Sequence, residues 1–346
     1  MTLDELIDSV VAPDRDAAAA ARDRHATLAK PPGSLGRLES LGGQLAAIAG
    51  RCPPPIPSAP SVVVAAGDHG VHAQGVSDWP QDVTTAMVAT MASGRAAVNA
   101  IARTVGAAVT VVDVGTVSAA AAPEGAADRR IRSGTRDITR APAMTESECR
   151  AAIEVGAETV RGLVAGGVDL VATGEVGISN TTASACLYVA LAGLEPVDVV
   201  GRGANVDDAR TPRKIEVVRA ALDRHGPDRD PLGALASLGG LEHAALVGVM
   251  LAGAASRVPV VVDGVITGAA ALVAVALCPT AAGYLVSAHV SAEPAGRVVA
   301  DRLGRPALLD LELRLGEGTG ALLAVPLIRS AAAVLAETAT LDTIEF

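Results

Sequence analysis

The sequence predicts an α/β fold, with a parallel Rossmann-like sheet flanked by helices and a small helical subdomain built from both chain termini. Two observations lead to this prediction. From residue 61 onward, short β-branched runs alternate with alanine-rich stretches of helical length, which is typical of parallel strands covered by helices on both faces. Helical patterns also occur near both chain ends. We therefore expect an α/β domain over residues 61–304 and a helical subdomain over residues 1–52 and 305–346.

The composition fits a large buried core and excludes some partners. The chain has 346 residues, half of them apolar but only 1% aromatic, so the core must be built from Ala, Val and Leu. The longest apolar runs, 264–278 and 244–255, are shorter than the roughly 20 residues of a membrane-spanning helix, so we expect no membrane partner. The net charge of −10 argues against nucleic acid, whose phosphates require a basic face.

The first residues and the cysteines bear on location. The N-terminus lacks a basic region followed by an apolar run, so no export signal is visible. The four cysteines are widely spaced, with no CxxC pair and no zinc-binding pattern. These features predict a cytoplasmic protein with reduced thiols.

The helices outside the sheet region follow from capping and breaking residues. Proline-rich residues 53–60 form a linker before the first strand. The helices expected near the termini are one capped by Thr2 and Glu5, one over 14–29, one ending near Gly50, and one beginning at Thr319 or Pro326.

Each predicted strand is followed at once by a loop rich in Gly, Asp or His. The strands are 62–65, 108–112, 168–172, 197–200, 258–262 and 284–287. The loops are 67–70, 113–116, 174–177, 201–205, 263–267 and 288–291. Because ligands of open parallel sheets bind at the carboxyl edge of the strands, we expect these loops to surround one pocket.

Glu317 is the candidate general base. It lies between two glycines in Arg314-Leu315-Gly316-Glu317-Gly318, and backbone of this kind allows a ligand to approach closely. The alternative is a surface turn with an incidental acid.

Residues 174–182, Gly-Glu-Val-Gly-Ile-Ser-Asn-Thr-Thr, follow a strand and open a helix. Glycine amides and free N–H groups at a helix start can hold a phosphate, although an ordinary capped helix start would look the same. Gly201-x-Gly203 forms a second such turn, but Val206 replaces the third glycine of a dinucleotide fingerprint.

Two lysines and one serine are further candidates for phosphate contacts. Of the 28 basic residues only Lys30 and Lys214 are lysine, and an ammonium binds phosphate as a point charge. Exposed, solvated lysines are the alternative. Ser291 is expected to begin a helix with Glu293 in its first turn, where its hydroxyl either caps the helix or touches phosphate.

Asp68-His69-Gly70-Val71-His72 has two imidazoles and an aspartate that are possible metal ligands. A third or fourth ligand is not evident, so we expect these side chains to shape a pocket loop and predict no metal. His289, at a strand end, has the same two interpretations, with structural hydrogen bonding favoured.

Residues 260–268 are similar to the diphosphoribose-binding motif of common phosphoribosyltransferases. They depart from it because Gly264 stands in place of the second acid and Ala269 and Ala270 replace the threonines. A pyrophosphate leaving group normally requires magnesium, and no clear magnesium site is present in the sequence.

Several segments together resemble the nicotinate-nucleotide:dimethylbenzimidazole phosphoribosyltransferase family, in order and over nearly the whole chain. They are Lys30-Pro31-Pro32-Gly33-Ser34-Leu35-Gly36, Asp68-His69-Gly70-Val71, Gly174-Glu175-Val176-Gly177, Asn180-Thr181-Thr182, Gly203-Ala204-Asn205, Ser291-Ala292-Glu293 and Arg314-Leu315-Gly316-Glu317-Gly318. The resemblance implies transfer of phosphoribosyl from nicotinate mononucleotide to dimethylbenzimidazole, for nucleotide loop assembly in cobalamin biosynthesis. It also implies a homodimer without metal or cofactor.

The resemblance also implies the roles of individual residues. Glu317 is the catalytic base. Phosphoribosyl contacts are implied for Glu175, Gly177, Asn180, Thr181, Gly203, Lys214 and Ser291. Contacts to the incoming base are implied for Trp79, Met87, Val176 and Leu315, and Trp79 is suited to stacking on a flat ring; alternatively, it plugs the end of a helix that Pro80 starts.

Two other functions fit parts of the sequence. One is a phosphoribosyltransferase that uses diphosphoribose and magnesium, as the loop around Asp263 suggests. The other is a non-catalytic regulator that binds a base or nucleotide, in which Glu317 would matter little.

Overall fold

The computed structural model describes residues 1–118, 120–203, 210–226, 230–302, 304 and 306–344, and its centre is a six-stranded, wholly parallel sheet. The strands are β1 (Pro60–Gly67), β2 (Ala108–Gly115), β3 (Ala126–Asp128), β4 (Leu170–Val176), β5 (Val260–Val262) and β6 (Leu285–Ser287). Their order in the sheet is β3-β2-β1-β4-β5-β6, which is the doubly wound Rossmann order. The predicted α/β class is confirmed.

Helices cover both faces of this sheet. In the described part of the chain they are α1 (Leu3–Asp8), α2 (Arg15–Thr27), α3 (Arg37–Ala49), α4 (Asp82–Ala92), α5 (Ala97–Val105), α6 (Glu146–Ala165), α7 (Asn180–Ala192), α8 (Pro196–Val199), α9 (Thr211–His225), α10 (Pro231–Leu238), α11 (Leu241–Ala255), α12 (Val265–Leu277), α13 (Gly296–Arg302) and α14 (Thr319–Glu337). The Thr2–Glu5 capping box of α1 is present as predicted, with both reciprocal bonds formed.

The core consists of two apolar layers separated by the sheet. All eight residues of β1 are buried, and its side chains alternate between the layers: Val63 and Ala65 belong to one, Val62 and Val64 to the other. Helices α6, α7, α11 and α12 form the first layer, and α3, α4, α5 and α14 form the second. Because both faces are covered, the strand sequences are continuously apolar rather than alternating.

Three local predictions were wrong. Residues 197–200 were expected to form a strand, but Pro196–Val199 form the short helix α8, because proline at the first position fixes a helical φ angle. The edge strand β3, Ala126–Asp128, was not predicted, since it is only three residues long and has no β-branched residue. The helix expected to begin at Ser291 begins at Gly296.

Helix α14 begins at Thr319, the first of the two expected starts, and Pro326 lies inside it. It is the one helix in the described ranges that is long and apolar enough to cross a membrane. It packs against α3, α5 and β4, so its apolar composition is that of a core helix. The division into an α/β domain and a terminal helical subdomain remains a prediction, because α14 contacts both regions.

The approach to α14 runs along the edge of the sheet. Leu308 and Leu309 donate backbone hydrogen bonds to Ser287 and Ala288, and Val290 donates one back to Leu309. The stretch 306–313 therefore lies parallel to the chain that leaves β6, and it carries the Glu317 loop to the carboxyl ends of β4 and β5.

Candidate active site

A cavity of about 430 Å³ opens at the carboxyl ends of β4, β5 and β6. This volume falls in the range of roughly 300–1,000 Å³ that small-molecule sites occupy. Eleven of the twelve predicted site residues line it, and Lys214 lies just behind its wall. Those eleven are Trp79, Met87, Glu175, Val176, Gly177, Asn180, Thr181, Gly203, Ser291, Leu315 and Glu317.

The loop that presents Glu317 has three successive residues with positive φ. The angles are +80° at Gly316, +62° at Glu317 and +85° at Gly318. The left-handed region is costly for a residue with a side chain, so tertiary contacts must hold Glu317 there. Asp263 supplies two of them: its carboxylate accepts the N–H groups of Gly318 at 3.2 Å and Ala321 at 2.8 Å.

The Glu317 carboxyl group is buried and incompletely bonded. Its side chain is 6% exposed, and Oε2 has no hydrogen-bond partner in the described part of the chain. Burial raises its pKa, the Val98 backbone N–H at the start of α5 acts to lower it, and the nearby Asp263 charge raises it further. A buried carboxyl group with a raised pKa that lines the cavity suits a general base.

Glu175, next to last in β4, is a second buried carboxyl group in the cavity. Asn180 donates a short hydrogen bond to its Oε2. Burial, followed by the charges of Asp263 and Glu242, raises its pKa to about 8, so the neutral acid predominates near pH 7. A Cβ atom at Gly316 would lie 2.2 Å from Glu175 Oε1, so glycine is required there for two reasons, space and φ.

The start of α7 forms one end of the cavity. Gly177 lies so close to β1 that a Cβ atom there would be 2.2 Å from the Gly67 carbonyl oxygen. Ser179 follows with a φ of +78°, and α7 begins at Asn180 without a side-chain cap. Free N–H groups at a helix start attract anions, so phosphate binding here remains a prediction.

Lys214 faces a small neighbouring cavity of about 50 Å³ that shares Gly177, Asn180 and Thr181 with the main one. Its Nζ donates to Thr181 Oγ1 at 3.3 Å and to the carbonyl oxygens of Gly201 and Arg202 at 3.2 Å. Burial lowers its pKa. Its charge thus acts on this end of the cavity from behind Thr181.

Gly203 and Ser291 have protein partners at the same end. The Gly203 N–H donates to Glu293 Oε1 at 3.0 Å, and Arg314 Nη1 donates to the Gly203 carbonyl oxygen at 3.2 Å. Ser291 Oγ accepts the Glu293 N–H at 3.3 Å. A phosphate can reach the Gly203 amide only by displacing the Glu293 carboxylate.

Some of the residues singled out in the sequence lie elsewhere. Lys30 is paired with Glu39 at 2.7 Å and does not line the cavity. Ala204, Asn205 and Val206 lie outside the described residues. Glu293 and Arg314, which do line the cavity, had been noted only as parts of motifs.

The opposite end of the cavity is apolar. Trp79 and Leu315, 49% and 57% exposed, stand at its mouth. Side chains that sequence reasoning had not assigned complete this wall: Val83, Ile178 and Ile266. Val83 was findable in principle, because it lies one helical turn before Met87 on α4 and therefore on the same face.

The two histidines of the Asp68–His72 segment do not converge. His72 Nε2 lies 2.9 Å from the Trp79 carbonyl oxygen, whereas His69 Nε2 lies 2.7 Å from Glu242 Oε1. His243 Nδ1 approaches the same carboxylate oxygen at 2.8 Å. Glu242 and His243 were missed, although two ionisable residues opening the apolar run 241–255 were a usable signal.

His69, Glu242 and His243 are grouped closely enough to be considered as metal ligands. Tetrahedral ligands about 2.1 Å from a zinc ion lie about 3.4 Å apart, so contacts of 2.7–2.8 Å are too short for two ligands of one ion. Burial would raise the pKa of Glu242, but the two imidazoles outweigh it and lower that pKa. The cluster therefore has the geometry of an ionised carboxylate between histidines.

Asp263 does not act as a ribose-binding acid in this arrangement. Both of its oxygens accept amide N–H groups at the start of α14, and His289 Nε2 lies 3.6 Å from Oδ1. Burial opposes protonation of His289, yet the Asp263 carboxylate outweighs it and raises the pKa of His289. This contact supports the structural role that the sequence favoured for His289, which also lines the cavity.

Comparison with known proteins agrees with this site. A family model described as phosphoribosyltransferase matches residues 10–344. The chain is 52% identical over 345 residues to the nicotinate-nucleotide–dimethylbenzimidazole phosphoribosyltransferase of Salinispora tropica, with 95% of each chain covered, and 47% identical over 339 residues to that of Chloroflexus aggregans, covering 98% of this chain and 96% of the relative.

A solved structure is similar over the same extent. The crystal structure of CobT from Thermus thermophilus superposes with a TM-score of 0.91 at 44% identity, covering 94% of this chain and 98% of that one. At this coverage the likeness extends well beyond the sheet. The chain therefore belongs to the nicotinate-nucleotide–dimethylbenzimidazole phosphoribosyltransferase family.

Proposed function

We propose that the protein moves the 5-phosphoribosyl group of nicotinate mononucleotide to 5,6-dimethylbenzimidazole. The products are nicotinate and α-ribazole 5′-phosphate, which supplies the lower ligand of cobalamin. The observation that carries this proposal is the buried Glu317 carboxyl group, which lines a cavity that is apolar at one end and suited to an anion at the other. Membership of the family supports the same reaction.

Glu317 is the general base in this proposal. The unprotonated nitrogen of the benzimidazole attacks C1′, the bond from C1′ to the pyridinium nitrogen breaks, and its electron pair leaves with nicotinate. The other ring nitrogen becomes acidic as the new bond forms, and Glu317 takes its proton. A carboxyl group with a raised pKa is a stronger base toward this N–H than an exposed one. Attack opposite the departing base changes a β linkage into an α linkage.

The donor is held with its phosphate at the start of α7. The N–H groups near Gly177, the hydroxyls of Thr181 and Ser291, and the Lys214 charge support that placement. Glu175 and Asn180 lie beside the sugar.

The incoming base occupies the apolar end between Trp79, Met87, Val176 and Leu315. A flat bicyclic ring with methyl substituents buries its faces against such side chains. Trp79 and Leu315, both half-exposed, lose solvent contact when the ring binds.

The diphosphoribose-dependent alternative is less well supported. It requires an acid for the ribose hydroxyls and magnesium for the pyrophosphate, and both Asp263 oxygens are bonded to backbone amides. Because nicotinate mononucleotide carries a pyridinium, its base leaves as a neutral ring, and we predict a reaction without metal or cofactor.

The direct test is to incubate the protein with nicotinate mononucleotide and dimethylbenzimidazole in the presence of EDTA and to follow nicotinate by chromatography. We expect nicotinate and α-ribazole phosphate to appear in equal amounts, and only when both substrates are present. Absence of release in EDTA, with release restored by magnesium and diphosphoribose as donor, would favour the alternative. Binding of both ligands without any turnover would favour a regulator.

We also predict a cytoplasmic homodimer. Its four cysteines, Cys52, Cys149, Cys186 and Cys278, are free thiols, which supports a reducing compartment. Light scattering coupled to gel filtration should give twice the chain mass of 34.4 kDa. A mass of one chain at micromolar concentration would contradict the dimer.

A further inference from the structure

A chain of buried polar groups runs behind the cavity and is not part of the proposed reaction. Gln81, which precedes α4, donates from Nε2 to the His69 carbonyl oxygen at 2.9 Å. The His69 ring bonds to Glu242 Oε1 at 2.7 Å, and His243 Nδ1 lies 2.8 Å from the same oxygen without the alignment of a hydrogen bond. His243 Nε2 then lies 2.8 Å from Ser184 Oγ on α7.

The two ends of this polar network lie on the two helices that form the cavity walls. Helix α4 carries Val83 and Met87 on the apolar wall, and α7 begins with Asn180 and Thr181 on the anion-binding wall. A second contact joins α4 to the segment just before α7, because Thr84 Oγ1 accepts the Ile178 N–H at 3.1 Å. The polar network therefore connects the elements that carry the donor and acceptor subsites.

The network is also tightly enclosed. Glu242 and His243 are fully buried, and His69 is 1% exposed. Cβ atoms at Gly67 and Gly240 would lie 2.8 Å and 2.5 Å from Glu242 Oε2, so the carboxylate takes up space that side chains would otherwise fill. Because a close-packed interior transmits displacements, the elements that this enclosed network joins have little freedom to shift.

We infer that Gln81, His69, Glu242, His243 and Ser184 are positioning residues that set the distance between α4 and α7 and hence the distance between the attacking nitrogen and C1′. They touch neither substrate. Misplacement of reacting groups by about 1 Å can cost on the order of 100-fold in rate. The inference rests on the proposed function and adds to it the device that aligns the two substrates.

The test uses Ser184→Ala, which removes the hydroxyl oxygen from α7 and with it the contact to His243 at the end of the polar network. The matched control is Cys186→Ala, which removes one sulfur from the same helix at a site that is equally buried. We expect Ser184→Ala to lower kcat about 10-fold with both KM values changed less than about twofold. We expect Cys186→Ala to keep kcat within about twofold of the wild type, and Ser184→Thr, which restores a hydroxyl, to recover most of the loss.

The fraction of folded, binding-competent protein must be measured, so that a loss of folded protein is not mistaken for misaligned substrates. The chain has a single tryptophan, Trp79, at the cavity mouth, so its fluorescence reports binding of dimethylbenzimidazole. Titration should give one binding site per chain for wild type and both alanine variants. If Ser184→Ala does not fold, Gln81→Met at the other end of the chain replaces it, with the same expected fall in kcat.

The outcomes separate this inference from the proposed function. Absence of transferase activity in the wild-type protein would contradict the proposed function. Active wild type with an unchanged kcat in Ser184→Ala, or with an equal loss in Cys186→Ala, overturns the positioning role alone. A stoichiometric metal in the purified protein, bound through His69 and His243, overturns it as well. A double variant Gln81→Met/Ser184→Ala that is no slower than the slower single variant supports one continuous chain.

Discussion

At the scale of single residues, the proposed reaction depends on Glu317. We expect Glu317→Gln to lower kcat by on the order of 10²–10⁴, the usual contribution of a general base, because the amide cannot take the benzimidazole proton. Calorimetry should show nicotinate mononucleotide binding within about threefold of the wild type. A variant that keeps more than a tenth of the wild-type kcat would show that Glu317 is not the base.

Gly316 is expected to tolerate no side chain. Gly316→Ala combines a strained φ with a Cβ atom 2.2 Å from Glu175 Oε1. Gly33 is a matched control, because it has a similar φ of +73° and nothing within 4 Å of an added Cβ. Urea denaturation should give a loss of about 1 kcal/mol for Gly33→Ala and about 2–4 kcal/mol for Gly316→Ala. Equal losses would mean that the contact with Glu175 is unimportant.

Glu175 links stability to pH. Its pKa is about 8 in the fold and 4.5 in the reference state, so the fold favours the protonated acid. Its contribution to stability is complete below pH 4.5 and is lost as the pH rises toward 8. The stability of wild type relative to Glu175→Gln should therefore fall by a few kcal/mol between pH 5 and pH 8 in urea titrations. A constant difference would mean that the group titrates normally.

Sequence reasoning succeeded where backbone and chemistry coincide in one motif. Glu175 lies beside Gly174 near the end of β4, Glu317 lies between two glycines just before α14, and both were predicted to reach the cavity. Glu242 and His243 were missed because their partner His69 is more than 170 positions away. Glu293 shows the same limit, since its bond to the Gly203 amide depends on how two distant loops meet.

At the scale of elements, Asp263 joins β5 to the start of α14 and holds the Glu317 loop in place. Asp263→Asn should cost about 1 kcal/mol, as for other caps, and should also lower kcat because Gly318 is released. The control is Asp14→Asn, since Asp14 caps α2 through two amides at 2.9 Å, far from the cavity. Thermal unfolding measures the loss of stability, and kcat measures the loss of catalysis. If both variants lowered kcat equally, Asp263 would have no role in catalysis beyond that of a helix cap.

The strands that were predicted correctly are apolar, and most of them carry several β-branched residues. β1, β2, β4 and β5 each have three or more, β6 has only Val286, and both faces of the sheet are covered. Residues 197–200 also contain three valines, yet residues 197–199 form part of helix α8. Pro196 at the start of this helix and its packing against α7 and α9 favour the helical conformation. Local propensity cannot resolve such a case, because tertiary packing outweighs it.

At the scale of the whole molecule, the alternation of strands and helices predicted the α/β class but not the strand order. The order depends on which crossovers place β4 next to β1, and nothing local encodes that choice. Once it is known, the location of the site follows, since the crevice of a doubly wound sheet opens where the order reverses. The predicted loops after β4, β5 and β6 line the cavity beside this point, whereas the loops 67–70 and 113–116, expected around the same pocket, do not line it.

The stretch 306–313, which pairs with the chain leaving β6, has a consequence beyond catalysis. An uncovered border of a β-sheet is a template for aggregation, and this stretch shields part of that border while it leads to Glu317. Substitutions that detach it, such as proline at Leu309, whose N–H is bonded to Ala288, should make the protein prone to forming insoluble oligomers as well as inactive. Solubility during expression is thus coupled to the integrity of the catalytic loop.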